Sequence, residues 1–233
     1  MSILDLKQAV LEANLDTVRD GLVMATFGNA SGIDRASGQV VIKPSGVSYD
    51  TMTSEDMVAV RLDGTRVDHH LRPSSDLDTH LVLYRAFEGI GSVIHTHSTY
   101  ATIYAQALVP IPCLGTTHAD YFCGEIPVTR YLRADELGEH YVAATGEAIV
   151  EALKGRDPMA IPAILVAGHG PFVWGATPKS AALNALILEE CARMAWFTRQ
   201  LNPDITAIPD ALRDRHFFRK HGNSATYGQE KVV

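Results

Sequence analysis

The apolar positions of the N-terminal segment, Leu4, Leu6, Val10, Leu11, Leu15 and Val18, recur at spacings that suit one face of a helix, and Gly21 supplies a stop. Beyond it the pattern shortens. Residues 39–43, ended by Pro44-Ser45-Gly46, and residues 57–62, turning at Asp63-Gly64, read as strands between glycine and proline breaks. A helix is expected from Ser74-Ser75 to about Phe87, because serine hydroxyls cap free backbone N–H groups and Asp78 follows Ser75 by three residues. Residues 92–96 predict a buried strand, and Ser98 stands where it could cap a following helix. Residues 137–153 predict a helix and residues 163–167 a strand. Thr177-Pro178 gives a cap followed by proline at the first helical position, which opens the Ala- and Leu-rich helix of residues 179–201. The class is mixed α/β, and the pattern leaves the strand order open.

Composition narrows the partners. The chain has 233 residues, 46% hydrophobic and 20% charged, which suits a globular protein with a full core and excludes a disordered chain. A net charge of -7 argues against a general nucleic-acid binder but leaves room for a small anionic substrate in a locally positive pocket. Cys113, Cys123 and Cys191 form no Cys-x-x-Cys pair and read as free thiols in a reducing compartment. No signal-peptide pattern opens the sequence, and no run approaches the roughly 18 apolar residues of a membrane span. The expectation is a cytoplasmic protein without membrane partners. Without a repeat or a linker, residues 1–233 are expected to form one domain.

Val93-Ile94-His95-Thr96-His97 is the first segment that carries chemistry. Positions two apart on a strand share a side, so His95 and His97 can meet one divalent ion through neutral imidazole nitrogens. His169, in the glycine-flanked turn Gly168-His169-Gly170-Pro171, is the third candidate, and Asp76 and Asp78 are the nearest carboxylates. Against this stands the plain reading that histidines at strand ends only hydrogen-bond. The Asp-His continuation of a metallo-β-lactamase is absent, since Ser98-Thr99 follows the pair. His69, His70, His80, His118 and His140 read as surface or structural residues.

Lys43-Pro44-Ser45-Gly46 and Pro73-Ser74-Ser75 have the composition of an anion cradle: a lysine charge, serine hydroxyls and the free N–H groups of a helix start. Asn29 in Gly28-Asn29-Ala30-Ser31 adds an amide donor. Each segment alone is better explained as turn chemistry. There is no Walker A loop and no Gly-x-Gly-x-x-Gly, so a nucleotide has no support.

Taken in order, these segments resemble the class II aldolase/epimerase family. The matching stretches are residues 26–31, 41–47, 73–76, 95–98, Gly115-Thr116-Thr117-His118-Ala119-Asp120-Tyr121-Phe122, 168–172 and Arg219-Lys220-His221-Gly222. The resemblance runs over essentially the whole chain and is nearest to the family's epimerase branch. It implies an α/β/α sandwich around a mainly antiparallel sheet, and a divalent ion, usually zinc with manganese possible, on His95, His97, His169 and Asp76. It further implies a phosphate pocket of Asn29, Lys43, Ser45, Gly46, Ser74 and Ser75. Asp120 and Tyr227 correspond to the acid/base pair, with the tail of about residues 203–233, including His216, reaching a neighbouring subunit's site in a homotetramer. Thr226 departs from the aromatic residue of the family pattern. The implied reaction inverts C4 of a ribulose phosphate by breaking and remaking a carbon–carbon bond. An aldolase on the same scaffold and a non-catalytic adducin-head-like domain are the alternatives; Asp76, where the aldolase has glutamate, favours the first reading, and the complete histidine set opposes the last.

Overall fold

Ser2 begins the first helix. Its Oγ accepts the Asp5 amide at 3.1 Å while the Asp5 carboxylate accepts the Ser2 amide at 3.2 Å, a reciprocal cap that satisfies two N–H groups the helix cannot. Helix α1 (Ile3–Arg19) buries Leu6, Val10, Leu11 and Ala13, and Gly21 past its end takes φ +69°, where a side chain would be strained. The computed structural model describes residues 2–67, 70–222 and 225.

Among these residues the chain builds strands β1 (Asn29–Asp34), β2 (Gln39–Ile42), β3 (Val58–Arg61), β4 (Ser92–His95), β5 (Ala163–Val166) and β6 (Gly170–Gly175). They form one sheet in the order β3-β2-β1-β4-β6-β5, and every neighbouring pair runs antiparallel. Helices α2 (Leu77–Ala86) and α5 (Tyr141–Ala152) pack together on one face. The other face is covered by α1, α3 (Thr99–Ala107) and α6 (Pro178–Leu201), while α4 (Thr116–Ala119) and α7 (Asp210–His221) meet at the periphery.

Strand alternation divides the core between the two layers. Val93, Phe172, Trp174, Ile164 and Val166 join Leu81, Leu83, Tyr84 and Ile149 on the α2/α5 side. Ile94, Val173, Ala163 and Leu165 join Ala101, Ala181, Ala185 and Leu188 on the α3/α6 side. The expected α/β/α layering is therefore present. No described helix is long and apolar enough to cross a membrane.

Four local expectations are corrected. Helix α2 starts at Leu77 rather than Ser74-Ser75, because Ser74 and Ser75 line a cavity and Asp76 at the cap position turns its carboxylate to Asn29 (2.6 Å). Helix α5 starts at Tyr141, since residues 134–136 form a separate 3₁₀ turn fixed by the Arg130–Glu136 fork. Strand β4 ends at His95, so His97 lies beyond it. Ser98 occupies the cap position of α3 without a capping hydrogen bond; the buried carboxylate of Glu189 takes that role, accepting the amides of Tyr100 (2.8 Å) and Ala101 (2.9 Å). By contrast Thr177 caps α6 as expected, its Oγ1 accepting the Ser180 amide at 3.1 Å.

Candidate metal and phosphate site

Sheet register sets the first side chains. Asn29 stands opposite His95 in the β1–β4 pair, and His95 stands opposite Phe172 in the β4–β6 pair, so the three form one row on the α2/α5 side. Phe172 stacks flat on the His95 ring at 4.3 Å between centroids and 18° between planes. His169 arrives from the turn between β5 and β6, where Gly168 at φ +68° lets the chain reverse and the His169 amide bonds the Val166 carbonyl at 3.0 Å. His97 reaches in past the end of β4 and is flanked by the stacked ring of Phe27 at 5.8 Å and 12°.

The three histidines converge although only one is in a strand. Their ring centroids lie 4.7–4.9 Å apart, and one ligand atom from each lies within 4.8 Å of the others. His95 Nδ1 donates to the Pro171 carbonyl at 2.9 Å, which leaves its Nε2 lone pair facing His97 Nε2 at 3.1 Å. Burial pushes the pKa of all three rings down; at His95 the neighbouring His169 adds to this, and at His97 the charge of Asp76 partly opposes it. Three neutral imidazoles, each able to offer one ring nitrogen to a common point, are a donor set that fits a divalent ion. His169 Nδ1 is buried and has no hydrogen-bond partner among the described residues.

The two anion-cradle segments, far apart in sequence, are zipped together. Pro44 bridges Pro73, the Ser45 amide bonds the Arg72 carbonyl and the Ser74 amide bonds the Lys43 carbonyl, both at 2.9 Å. Together with His95, His97 and His169 they line one cavity of about 360 Å³. Asn29 and Asp76 also line it, as do Lys43, Ser45, Gly46, Ser74 and Ser75. Gly46 has φ +71° and open space around it. Lys43 is 2% exposed; its ammonium donates to the Pro44 (3.2 Å) and Val47 (3.1 Å) carbonyls and lies 4.7 Å from the centre of the Tyr49 ring. Burial lowers its pKa. Tyr49 in turn donates to the Gly28 carbonyl at 2.9 Å, tying this loop to the turn that carries Asn29.

Asp120 is placed elsewhere. It ends α4, does not line the cavity of the histidines, and is held by α7 of its own chain. His216 Nδ1 donates to its Oδ1 at 3.0 Å, the Arg219 guanidinium reaches both carboxylate oxygens at 3.0–3.1 Å, and the Lys220 ammonium stands 3.8 Å away. Burial raises the carboxyl pKa, but the hydrogen bonds of Arg219 and His216 and the charges of Lys220 and Arg219 outweigh it, and the net shift is downward. Tyr227, Thr226 and His69 lie outside the described residues.

Sequence reasoning missed several residues around the site. For His80, read from sequence as surface or structural, burial decides for the structural reading: it is fully buried, and its Nδ1 shares Ser31 Oγ (2.7 Å) with the Tyr84 hydroxyl (2.7 Å). His118 is also buried and structural, donating to the Gly124 carbonyl at 2.6 Å. Glu189 had a legible signal, a carboxylate at helical spacing from Ala185 and Ala192 on an apolar face. The stacking of Phe27 on His97 had none, because it depends on the path of the turn.

A family model described as Class II Aldolase and Adducin N-terminal domain matches residues 8–196. The chain is 53% identical over 225 residues to proteins named L-ribulose-5-phosphate 4-epimerase UlaF from Salmonella paratyphi A and Salmonella typhi, covering 97% of this chain and 99% of theirs. Among solved structures it resembles an L-fuculose 1-phosphate aldolase with TM-score 0.77 at 25% identity, over 91% of this chain and 94% of that one. The L-fuculose-1-phosphate aldolase from Thermus thermophilus gives TM-score 0.67 at 27% identity, over 86% and 98%.

Proposed function

We infer the function from one premise: this chain belongs to the class II aldolase and adducin N-terminal domain family, and within it acts as a metal-dependent enzyme that interconverts L-ribulose 5-phosphate and D-xylulose 5-phosphate. The observation that carries this reading is one cavity lined both by three neutral, convergent histidines and by the zipped Lys43–Gly46 and Ser74–Asp76 segments. The cavity volume of about 360 Å³ suits a small sugar phosphate.

His95, His97 and His169, with Asp76 as the fourth ligand, would hold the ion, zinc by preference for an imidazole-rich set. When bound it supplies Lewis-acid stabilisation of negative charge on the C2 and C3 oxygens of the sugar. The remaining chemistry belongs to the chain. The C4 hydrogen of a 2-ketose is not acidic, so inversion at C4 requires breaking the C3–C4 bond. A base removes the C4 hydroxyl proton, C4 becomes an aldehyde, and the bonding electrons pass to the C2–C3 enediolate. Asn29, Lys43, Ser45, Gly46, Ser74 and Ser75 hold the phosphate of the glycolaldehyde phosphate fragment while its aldehyde turns over. The bond then re-forms on the other face and a second group returns a proton to the oxygen.

Asp120 and Tyr227 are proposed as these two groups, supplied to the site of a neighbouring copy. The downward pKa shift of Asp120 keeps its carboxylate ionised and so able to accept a proton, and its separation from the histidine cavity of its own chain supports action on another copy. Self-association, as a homotetramer, is further supported by the exposed apolar row of Met194, Phe197 and Leu201 on α6. We extend the reading to a single domain over residues 1–233 and to the cytoplasm, where the unpaired Cys113, Cys123 and Cys191 would stay reduced. The test is to incubate zinc- or manganese-loaded protein with L-ribulose 5-phosphate. Rapid formation of D-xylulose 5-phosphate with little free glycolaldehyde phosphate is the expected result; accumulating aldehyde would assign an aldolase instead.

A further inference from the structure

A buried polar chain lies directly behind the proposed metal site. Ser31 Oγ is 2.7 Å from both the Tyr84 hydroxyl and His80 Nδ1, and all three residues are completely excluded from solvent. Hydrogen-bond satisfaction fixes its direction. If Ser31 donated to Tyr84, the single hydroxyl hydrogen of Tyr84 would be stranded in the core, at a cost of about 1–3 kcal/mol. Tyr84 therefore donates to Ser31, Ser31 donates to His80 Nδ1, and the neutral His80 ring carries its hydrogen on Nε2. Burial, which holds the His80 pKa down to about 3, agrees with a neutral ring.

That Nε2–H is buried and has no hydrogen-bond partner among the described residues. It belongs to a side chain one helical turn after Asp76: the His80 amide bonds the Asp76 carbonyl at 3.2 Å, and residues four apart share a helix face. Phe172 links the ring to the histidine cluster, meeting His80 edge-on at 6.0 Å while it stacks on His95. Asp76 has given one carboxylate oxygen to Asn29.

We propose that His80 is a positioning residue of the metal site: the Tyr84–Ser31 relay fixes its Nε2–H as the donor that orients the Asp76 carboxylate toward the ion. This rests on reading Asp76 as a ligand, and it adds a supporting shell to that ligand. Outer-shell partners of this kind change metal affinity by about 10–100-fold when removed.

The test has two readouts that do not depend on turnover. In metal-free protein, ¹⁵N spectra of the imidazoles are expected to show His80 protonated on Nε2; protonation on Nδ1 would overturn the relay. Zinc affinity by chelator competition then gives a double-mutant cycle. His80→Leu is expected to weaken zinc binding at least tenfold, and to have no further effect in an Asp76→Ala background. His80→Gln, which restores an N–H near the Nε2 position, is expected to recover part of the loss. Should His80→Leu fold poorly, Tyr84→Phe removes only a hydroxyl and is expected to weaken binding about threefold. Unchanged affinity in a folded variant, or additive losses in the double mutant, would overturn the proposal. A separate failure to epimerise L-ribulose 5-phosphate would sink the functional reading, while the affinity cycle still decides the role of His80.

Discussion

The cap of α3 gives the most demanding test of how this site is held. Helix α3 starts two residues after His97, and its second and third amides point at Glu189, whose side chain crosses from α6 and is 9% exposed. Two effects oppose each other. Burying a carboxylate carries a desolvation penalty of several kcal/mol. Against it stand two charge-assisted hydrogen bonds at 2.8 and 2.9 Å, each worth about 1.5–3 kcal/mol, and a negative charge at a helix N-terminus, worth up to about 2 kcal/mol when partly buried. Glu189→Gln keeps one acceptor oxygen, relieves the desolvation and turns an amide NH₂ toward one helix N–H. Glu189→Ala strands both N–H groups.

The expected losses are about 2 kcal/mol for the glutamine variant and about 3–5 kcal/mol for alanine. For a chain of this size the first corresponds to a fall in melting temperature of about 4–8 °C. Chemical unfolding of the metal-free proteins gives the global number, and hydrogen exchange at the Tyr100 and Ala101 amides reports whether the loss is local to the cap. Zinc affinity should fall in both variants, because the loop carrying His97 loses its fixed end. A glutamine variant within about 0.5 kcal/mol of the parent, with unchanged protection of those two amides, would refute the reasoning: it would mean that desolvation cancels the cap.

Gly28→Ala should destabilise the protein by about 2 kcal/mol or more and weaken zinc binding, since φ is +81° there and an added Cβ would stand 2.8 Å from Val23 and 3.0 Å from the His95 carbonyl; urea unfolding and zinc titration check both. Lys43→Met should raise KM for the sugar phosphate at least tenfold, about 1.4 kcal/mol, while leaving metal affinity unchanged. For Asp120 the sign follows from its lowered folded-state pKa: the α7 contact contributes stability above the ordinary carboxylate pKa of about 3.9 and loses it as pH falls through the lower folded value. Hydrogen-exchange protection of α7 should therefore hold from neutral pH to that range and collapse below it. Asp120→Asn should lose this pH dependence and most turnover yet still bind zinc.

The sequence made local features legible where one segment decides them. The α1 face, the Thr177 cap of α6, the β2 and β5 strands and the composition of the anion cradle all depend on short-range pattern. What was illegible depends on long-range choices. Asp76 looks like part of a helix start, but Asn29, 47 residues earlier, draws its carboxylate away and α2 begins later. Ser98 looks like a cap, but Glu189 from α6 takes those amides. The convergence of His169 with His95 and His97 rests on β6 pairing with β4, which no local period announces.

The register also explains why the site needs so many buried polar partners. On the α2/α5 side the row of Asn29, His95 and Phe172 is followed by the row of Ser31, Val93 and Trp174, while Ala30, Ile94 and Val173 point to the other layer. A slip of one residue in β4 would put Ile94 in the histidine's place and bury His95 among the alanines of α6. The polar members of the functional rows oppose such a slip because their bonds exist in one register only. Asn29 holds Asp76 at 2.6 Å and Ser31 joins His80 and Tyr84 at 2.7 Å; outside these rows, the Ser92 hydroxyl adds a bond to the Ser31 carbonyl at 2.6 Å. Replacing Ser31 by alanine would strand the Tyr84 hydroxyl at about 1–3 kcal/mol and remove the acceptor that orients it. The same side chains that discriminate against the wrong pairing thus stand behind the proposed ligands, so loss of strand specificity and loss of the proposed metal site are expected to be one event in this fold.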